Sequence, residues 1–138
     1  MASLDNKPEL LFADLPVGRA FKTLEYPVTR ALVQEFMETA GDFHPLYQKD
    51  LAPPGLAAIY ARLSYLQDHT MPSGGVLAKQ EFEFLNPAKI GDILKVQAKV
   101  IESLLDEKER KRVTFLIEAQ DQKGMPVSTI RLYAIWPK

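Results

Sequence analysis

The chain has no cysteine, which excludes disulfides, thiolate metal sites and a cysteine nucleophile, and is compatible with a reducing compartment. It also has almost no excess charge. With 17 basic against 18 acidic side chains the net charge is −1 over 138 residues, so no global field draws the protein to nucleic acid or to an anionic membrane, and neither is expected as a partner. Any anionic ligand has to be held by a local site. A long apolar run is missing near the start: MASLDNKPELLFADLPVG sets acids on both sides of a very short apolar patch, which suits neither a signal peptide nor a membrane span. A soluble, cytoplasmic protein is the expectation. No group of His, Asp and Glu has metal-ligand spacing and there is no glycine-rich phosphate loop, so neither a metal nor a cofactor is expected. The length fits a single domain over residues 1–138, able to bury roughly two thirds of the surface of the unfolded chain.

What is present is organised around Ala40 to Leu66, a polar loop followed by a helix with almost no polar face. Residues 1–16 read as an irregular lead-in, and Val17 to Glu25 as a short strand or extended arm. From Thr29, a suitable N-cap, Leu32, Val33, Phe36, Met37 and Ala40 share one face of an amphipathic helix that stops at Gly41. Gly41 to Leu51 reads as a loop, because His44-Pro45 disfavours helix. Pro53 and Pro54 then open the second helix, in which Arg62 is the one charge between Gly55 and Leu66. Such a helix must be wrapped on nearly every side.

The second half of the chain supplies the wrapping. Val76 to Leu85 alternates, with Ala78, Gln80, Phe82 and Phe84 on one side, until Asn86-Pro87 ends it. Ile93 to Glu102 sends Leu94, Val96, Ala98 and Val100 inward, and Val113 to Gln120 does the same with Val113, Phe115, Ile117 and Ala119. Between these runs LLDEKERKR suits a solvated hairpin tip or, alternatively, a basic grip on a ligand phosphate. Asp121 to Gly124 is a hairpin turn. Val127 to Trp136 is apolar on both sides and belongs in the middle of a sheet or at an interface. The class is α+β, with four antiparallel strands joined by hairpins. One sheet around one helix leaves a strand edge and a helix flank uncovered, so a dimer joining two sheets is expected.

The motif residues add a resemblance. Gly41-Asp42-Phe43-His44-Pro45-Leu46-Tyr47-Gln48-Lys49-Asp50, the Pro53-Pro54 opening, Phe82-x-Phe84-x-Asn86-Pro87 and Gly91-Asp92 resemble the MaoC-like (R)-specific enoyl-CoA hydratases and dehydratases, and especially the N-terminal half of their two-domain members. The resemblance runs from about Val17 to Trp136. It implies a hot-dog fold, an antiparallel sheet of about five strands around a long central helix with a second amphipathic helix before it. It also implies an acyl thioester of coenzyme A or of a carrier protein as ligand, and a homodimer or a heterodimer with another hot-dog chain.

In that family an aspartate and a histidine five residues apart hold the water that adds across the enoyl double bond, and amides at the start of the central helix meet the charge on the thioester oxygen. Asp42 matches the aspartate. Tyr47 stands where the histidine should be, and a tyrosine, with a pKa of about 10 against about 6.5 for histidine, is a far weaker base at neutral pH. His44 stands where the family has asparagine, and is either a displaced base or a locally hydrogen-bonded loop residue. Asp42, Tyr47 and His44 are thus the catalytic candidates, and Pro54, Gly55 and Leu56 the substrate-binding ones. Gly55 and Leu56 have amides without helical partners as the reason, with close packing as the other account of Gly55. Three readings follow: a binding half that pairs with a catalytic hot-dog chain, a self-sufficient lyase using Asp42 with His44 or Tyr47, and a thioesterase, which the absence of an acid on the helix before Asp68 ranks last.

Overall fold

The helices begin and end where side chains complete them. In the computed structural model, which describes residues 7–138, the Thr29 hydroxyl accepts from the Leu32 amide at 3.1 Å and opens α1, Arg30–Ala40, which closes at Gly41 in the left-handed region at φ 68°. The loop expected over Gly41 to Leu51 contains instead a short helix, α2, Pro45–Gln48. The expectation fails because proline in the first helical position sacrifices no bond, and His44 caps it through its own ring nitrogen. The apolar helix α3, Leu56–Tyr65, has ten residues, about 15 Å, so the long central helix of the expectation is a short one.

Five strands form one sheet in the order β1-β3-β4-β5-β2: β1 Leu24–Pro27, β2 Val76–Phe84, β3 Ile93–Leu105, β4 Lys111–Gln120 and β5 Pro126–Trp136. All neighbours are antiparallel. Hairpins join β3, β4 and β5 as expected, whereas β2 pairs with β5 and reaches β3 only by crossing the sheet. The inward residues read from alternation on β3 and β4 are all buried. Residues 1–6 of the expected lead-in lie outside the described residues. The rest of it is docked onto the domain: Leu10 and Leu15 are fully buried, a bridge joins Glu9 to Thr70, and the Trp136 indole donates to the Leu10 carbonyl at 2.7 Å.

The helix α3 lies mainly over β3 and β1. It is seated by an aromatic stack in which the Tyr65 ring lies 4.3 Å from Phe115, nearly parallel, with Phe21 and Trp136 tilted against Phe115. The offset seat leaves two surfaces bare. On α3, Ile59 and Leu63 are 41% and 43% exposed, and on β2 Phe82 and Phe84 are 37% and 52% exposed. Every residue of β2 is exposed, so the one-sided burial expected for this strand is absent, and the helix expected to be wrapped on nearly every side is open along one flank.

The β3–β4 turn is tied by Asp106, which accepts from the amides of Lys108 and Arg110 and from both Arg110 Nε at 2.7 Å and Arg112 Nε at 2.8 Å. Two of the cations read as a possible phosphate grip are therefore spent on the turn itself. Desolvation works against the anion, but the Arg110 and Lys108 amides and the two guanidinium groups hold its titration well below the usual carboxylate range. A carboxyl whose folded pKa is depressed stabilises fully above its unfolded value of about 3.9, and that contribution is lost as pH falls through the folded value. Asp106→Asn is therefore expected to lower the melting temperature at pH 7, with the difference from wild type shrinking as the pH is taken below about 4. Melts across that range check it.

Candidate active site

The motif loop and the start of α3 are positioned by a second loop, the one that leaves β2. Ala52 N–H donates to the Ala88 carbonyl at 2.9 Å and Ile90 N–H to the Asp50 carbonyl at 2.6 Å, with a bridge between Leu51 and Lys89. The turn after it is fixed by Gly91 at φ 102° and by the Asp92 carboxylate, which accepts from the Lys89 amide at 2.8 Å. The separate pieces Asp50, Asn86-Pro87 and Gly91-Asp92 are thus one construction, holding one wall of a cleft.

The cleft has a volume of about 380 Å³ and is lined by His44, Leu46, Tyr47, Pro53, Pro54, Leu56 and Tyr60 from the motif loop and α3, and by Phe84 to Ala88, Val28, Leu94 and Val127 from the sheet and its connections. No Asp, Glu, Lys or Arg lines it among the described residues. The polar lining comes from His44, Tyr47, Tyr60 and Asn86; Tyr60 bonds Ser128 at 2.5 Å and the Asn86 amide nitrogen donates to the Pro126 carbonyl at 2.7 Å. Of the sequence-derived candidates, His44, Tyr47, Pro54 and Leu56 meet in the cleft, while Asp42 and Gly55 lie outside its lining. Met37 and Phe82 do not line it either. Asn86, read as a strand terminator, and Val28, Leu94 and Val127, read as core or not singled out, do line it. Nothing local in the sequence distinguishes a core position from a cleft wall.

Tyr47 is half-buried, and Asp42 is exposed. Burial, then the Asp42 charge and a hydrogen bond to its carboxylate, push the Tyr47 phenol above its usual value of about 10. It is a donor at neutral pH and not a base. His44 lies beside it, ring centroids 5.5 Å apart, and its Nδ1 accepts from the Leu46 amide at 3.2 Å. The Nδ1 lone pair of His44 is therefore committed to the cap of α2.

At the start of α3 the two expected free amides differ. Leu56 N–H is spent on the Pro53 carbonyl at 3.2 Å, so that part of the expectation is corrected: the proline turn before the helix supplies the acceptor. The Gly55 amide has no hydrogen-bond partner among the described residues. Gly55 is also a packing site, since a Cβ there would stand 2.6 Å from Cζ of Phe36.

No protein-family model and no curated protein sequence matches the chain. Solved structures do. The chain is similar to the monoamine oxidase regulatory protein from Archaeoglobus fulgius, with a TM-score of 0.78 and 22% identity over 96% of this chain and 97% of that one. It is similar to the (R)-hydratase PhaJ1 from Pseudomonas aeruginosa (0.77, 23%, 94% and 87%) and to a MaoC-like dehydratase from Rhodospirillum rubrum (0.72, 23%, 94% and 98%). The likeness extends to two Mycobacterium tuberculosis complexes. One is the 3R-hydroxyacyl-ACP dehydratase HadBC (0.70, 18%, 86% and 96%) and the other ChsH1-ChsH2 (0.71, 13%, 88% and 98%). The fold is accordingly the hot-dog fold of MaoC-like dehydratases and (R)-hydratases, matched across nearly the whole chain.

The packing of Phe36 on Gly55 is open to test. Gly55 has ordinary helical dihedrals, so alanine is tolerated by the backbone and only the ring opposes it. Gly55→Ala is expected to lower stability by about 1–3 kcal/mol, and the loss to vanish in a Phe36→Ala background, as denaturant melts of the four proteins would register.

Proposed function

We propose that this chain is an acyl-thioester-binding member of the MaoC-like hydratase/dehydratase family with an incomplete Asp/His dyad, working beside a catalytic hot-dog partner in the reversible hydration of an enoyl thioester. The observation that carries the reading is an apolar, uncharged cleft whose motif loop presents a phenol with a raised pKa and a histidine whose Nδ1 is already engaged. Hydration puts the water oxygen on Cβ and a proton on Cα, and needs a group that takes and returns a proton near neutral pH. The Tyr47 phenol keeps its proton, and the Nδ1 lone pair of His44 is taken by the Leu46 amide. Such assistance is worth about 10²- to 10⁴-fold, enough to separate an enzyme from a binding subunit. The cleft would hold the acyl chain, with the Gly55 amide as the donor toward the thioester oxygen.

The reading predicts that the purified protein does not bleach the conjugated absorbance of trans-crotonyl-CoA, and that Tyr47→His, which restores the aspartate and histidine spacing, gains hydratase activity of at least about tenfold over wild type. Robust turnover by the wild-type protein, abolished in Asp42→Asn, would overturn the incomplete dyad.

The partner follows from the two bare surfaces. Ile59 and Leu63 on α3 and Phe82 and Phe84 on β2 are exposed, and β2 offers an open edge of nine residues ready to pair with another strand. A second hot-dog sheet, from another copy or from a related chain, would cover both. The double substitution Leu63→Glu and Phe84→Glu alters only exposed positions. It is expected to leave the melting temperature within a few degrees while abolishing association, read by light scattering on the wild-type assembly and the variant.

A further inference from the structure

Tyr47 lines two hollows and is the residue they share. One is the cleft. The other, beside α1, has a volume of about 370 Å³ and is lined by Arg30, Val33, Gln34, Met37, Phe43 and Tyr47. The side chain runs from the first to the second. Its backbone belongs to α2, where Tyr47 N–H donates at 3.0 Å to the carbonyl of His44, a residue of the cleft. Its phenol end is bonded to the Asp42 carboxylate, and Asp42 N–H is anchored at 3.1 Å on the carbonyl of Met37, a residue of the second hollow. That hollow offers mainly apolar surface. Val33 and Met37 are buried core residues. The Arg30 guanidinium donates to the Lys49 carbonyl at 2.9 Å and the Gln34 amide to the Glu38 carboxylate at 3.1 Å, so both polar ends are turned to protein partners and the stems remain as lining.

Ligand sites span roughly 300–1,000 Å³, and the cleft, at about 380 Å³, is near the small end. The second hollow would almost double it, but the Tyr47 ring stands between them. We propose that this ring is a partition that ends the acyl pocket, that it restricts the protein to short acyl chains, and that the hollow beside α1 is the space a longer chain would enter if the ring were removed. Tyr47 is then a specificity-determining residue, whatever becomes of its protons. The inference rests on the acyl-thioester reading above and narrows its substrate class by length. On that reading the reacting carbons lie beside position 47, so a chain that reaches the ring ends only a few carbons past them. Each methylene that a chain buries tightens binding by about fourfold, whereas one pressed against a fixed ring contributes nothing or is repelled.

Saturated acyl-CoAs cannot be hydrated and so report binding alone. Those from butanoyl to dodecanoyl, in steps of two carbons, are titrated calorimetrically onto the whole wild-type chain, Tyr47→Phe and Tyr47→Ala. Wild-type affinity is expected to climb with length and to stop climbing at or before octanoyl-CoA. Tyr47→Phe, which keeps the ring, is expected to stop at the same length. Tyr47→Ala is expected to go on gaining for at least two further carbons, and to bind decanoyl-CoA at least about tenfold more tightly than the wild type does. Gln34→Trp, which fills the second hollow from α1, is expected to remove that gain in the double variant. Should melts show Tyr47→Ala unfolded, Tyr47→Leu, which opens only the outer part of the partition, takes its place. Wild-type affinity that climbs unbroken to dodecanoyl-CoA overturns the inference and leaves the acyl-thioester reading standing. So does a limit that stays put when the ring is removed, a shift in Tyr47→Phe as large as in Tyr47→Ala, or a gain that Gln34→Trp does not touch. Failure of every thioester to bind the wild type sinks both the inference and the acyl-thioester reading.

Discussion

The stacking of Tyr65 on Phe115 fixes where α3 can lie, and most of what distinguishes this molecule follows from that seat. Phe115 is in the central strand of the sheet, yet α3 runs from it toward β3 and β1 and not toward β2. The N-terminus of the helix is thereby brought to the motif loop and the loop after β2, which clasp each other through Ala52, Ala88, Asp50 and Ile90. The same displacement uncovers β2 and one flank of the helix. The cleft and the bare edge are two results of one placement.

Chemically the cleft is apolar, with few polar groups in its walls. Its walls carry no formal charge among the described residues, and a charged group entering it would lose hydration without a partner. In the motif loop, burial and the Asp42 carboxylate push the Tyr47 phenol up, and His44 is the cap of α2.

Much of the fold was legible where one physical rule acted alone. Alternation identified the inward residues of β3 and β4 because both strands are buried on a single face. Thr29 and Gly41 bounded α1 because capping is local. The reading failed where the deciding partner is distant in sequence. Alternation in β2 said nothing about whether either face is covered, a bulge between Leu77 and Lys79 breaks its period, and the pairing of β2 with β5 has no signature in either strand. His44-Pro45 read as a helix breaker because the rule for the residue before proline was applied to His44, when Pro45 itself sits in the first turn. In the site, Asp42, His44 and Tyr47 stood out through the motif, and Tyr47 and His44 do share the cleft.

The crossing connection makes the order of synthesis matter. Glu81 of β2 is registered opposite Arg131 of β5, so β2 emerges from the ribosome about fifty residues ahead of the only strand it pairs with. Until the last dozen residues appear, β3 and β4 can close their hairpin, but β2 is a free ribbon carrying Phe82 and Phe84, with the properties of an aggregation-prone edge. Its charged positions Lys79, Glu81 and Glu83 fall on the face opposite those rings, where they guard a nascent strand against its own kind. A chain cut anywhere before β5 therefore loses two strands and not one, and the sheet closes only when its final segment slides between partners already made.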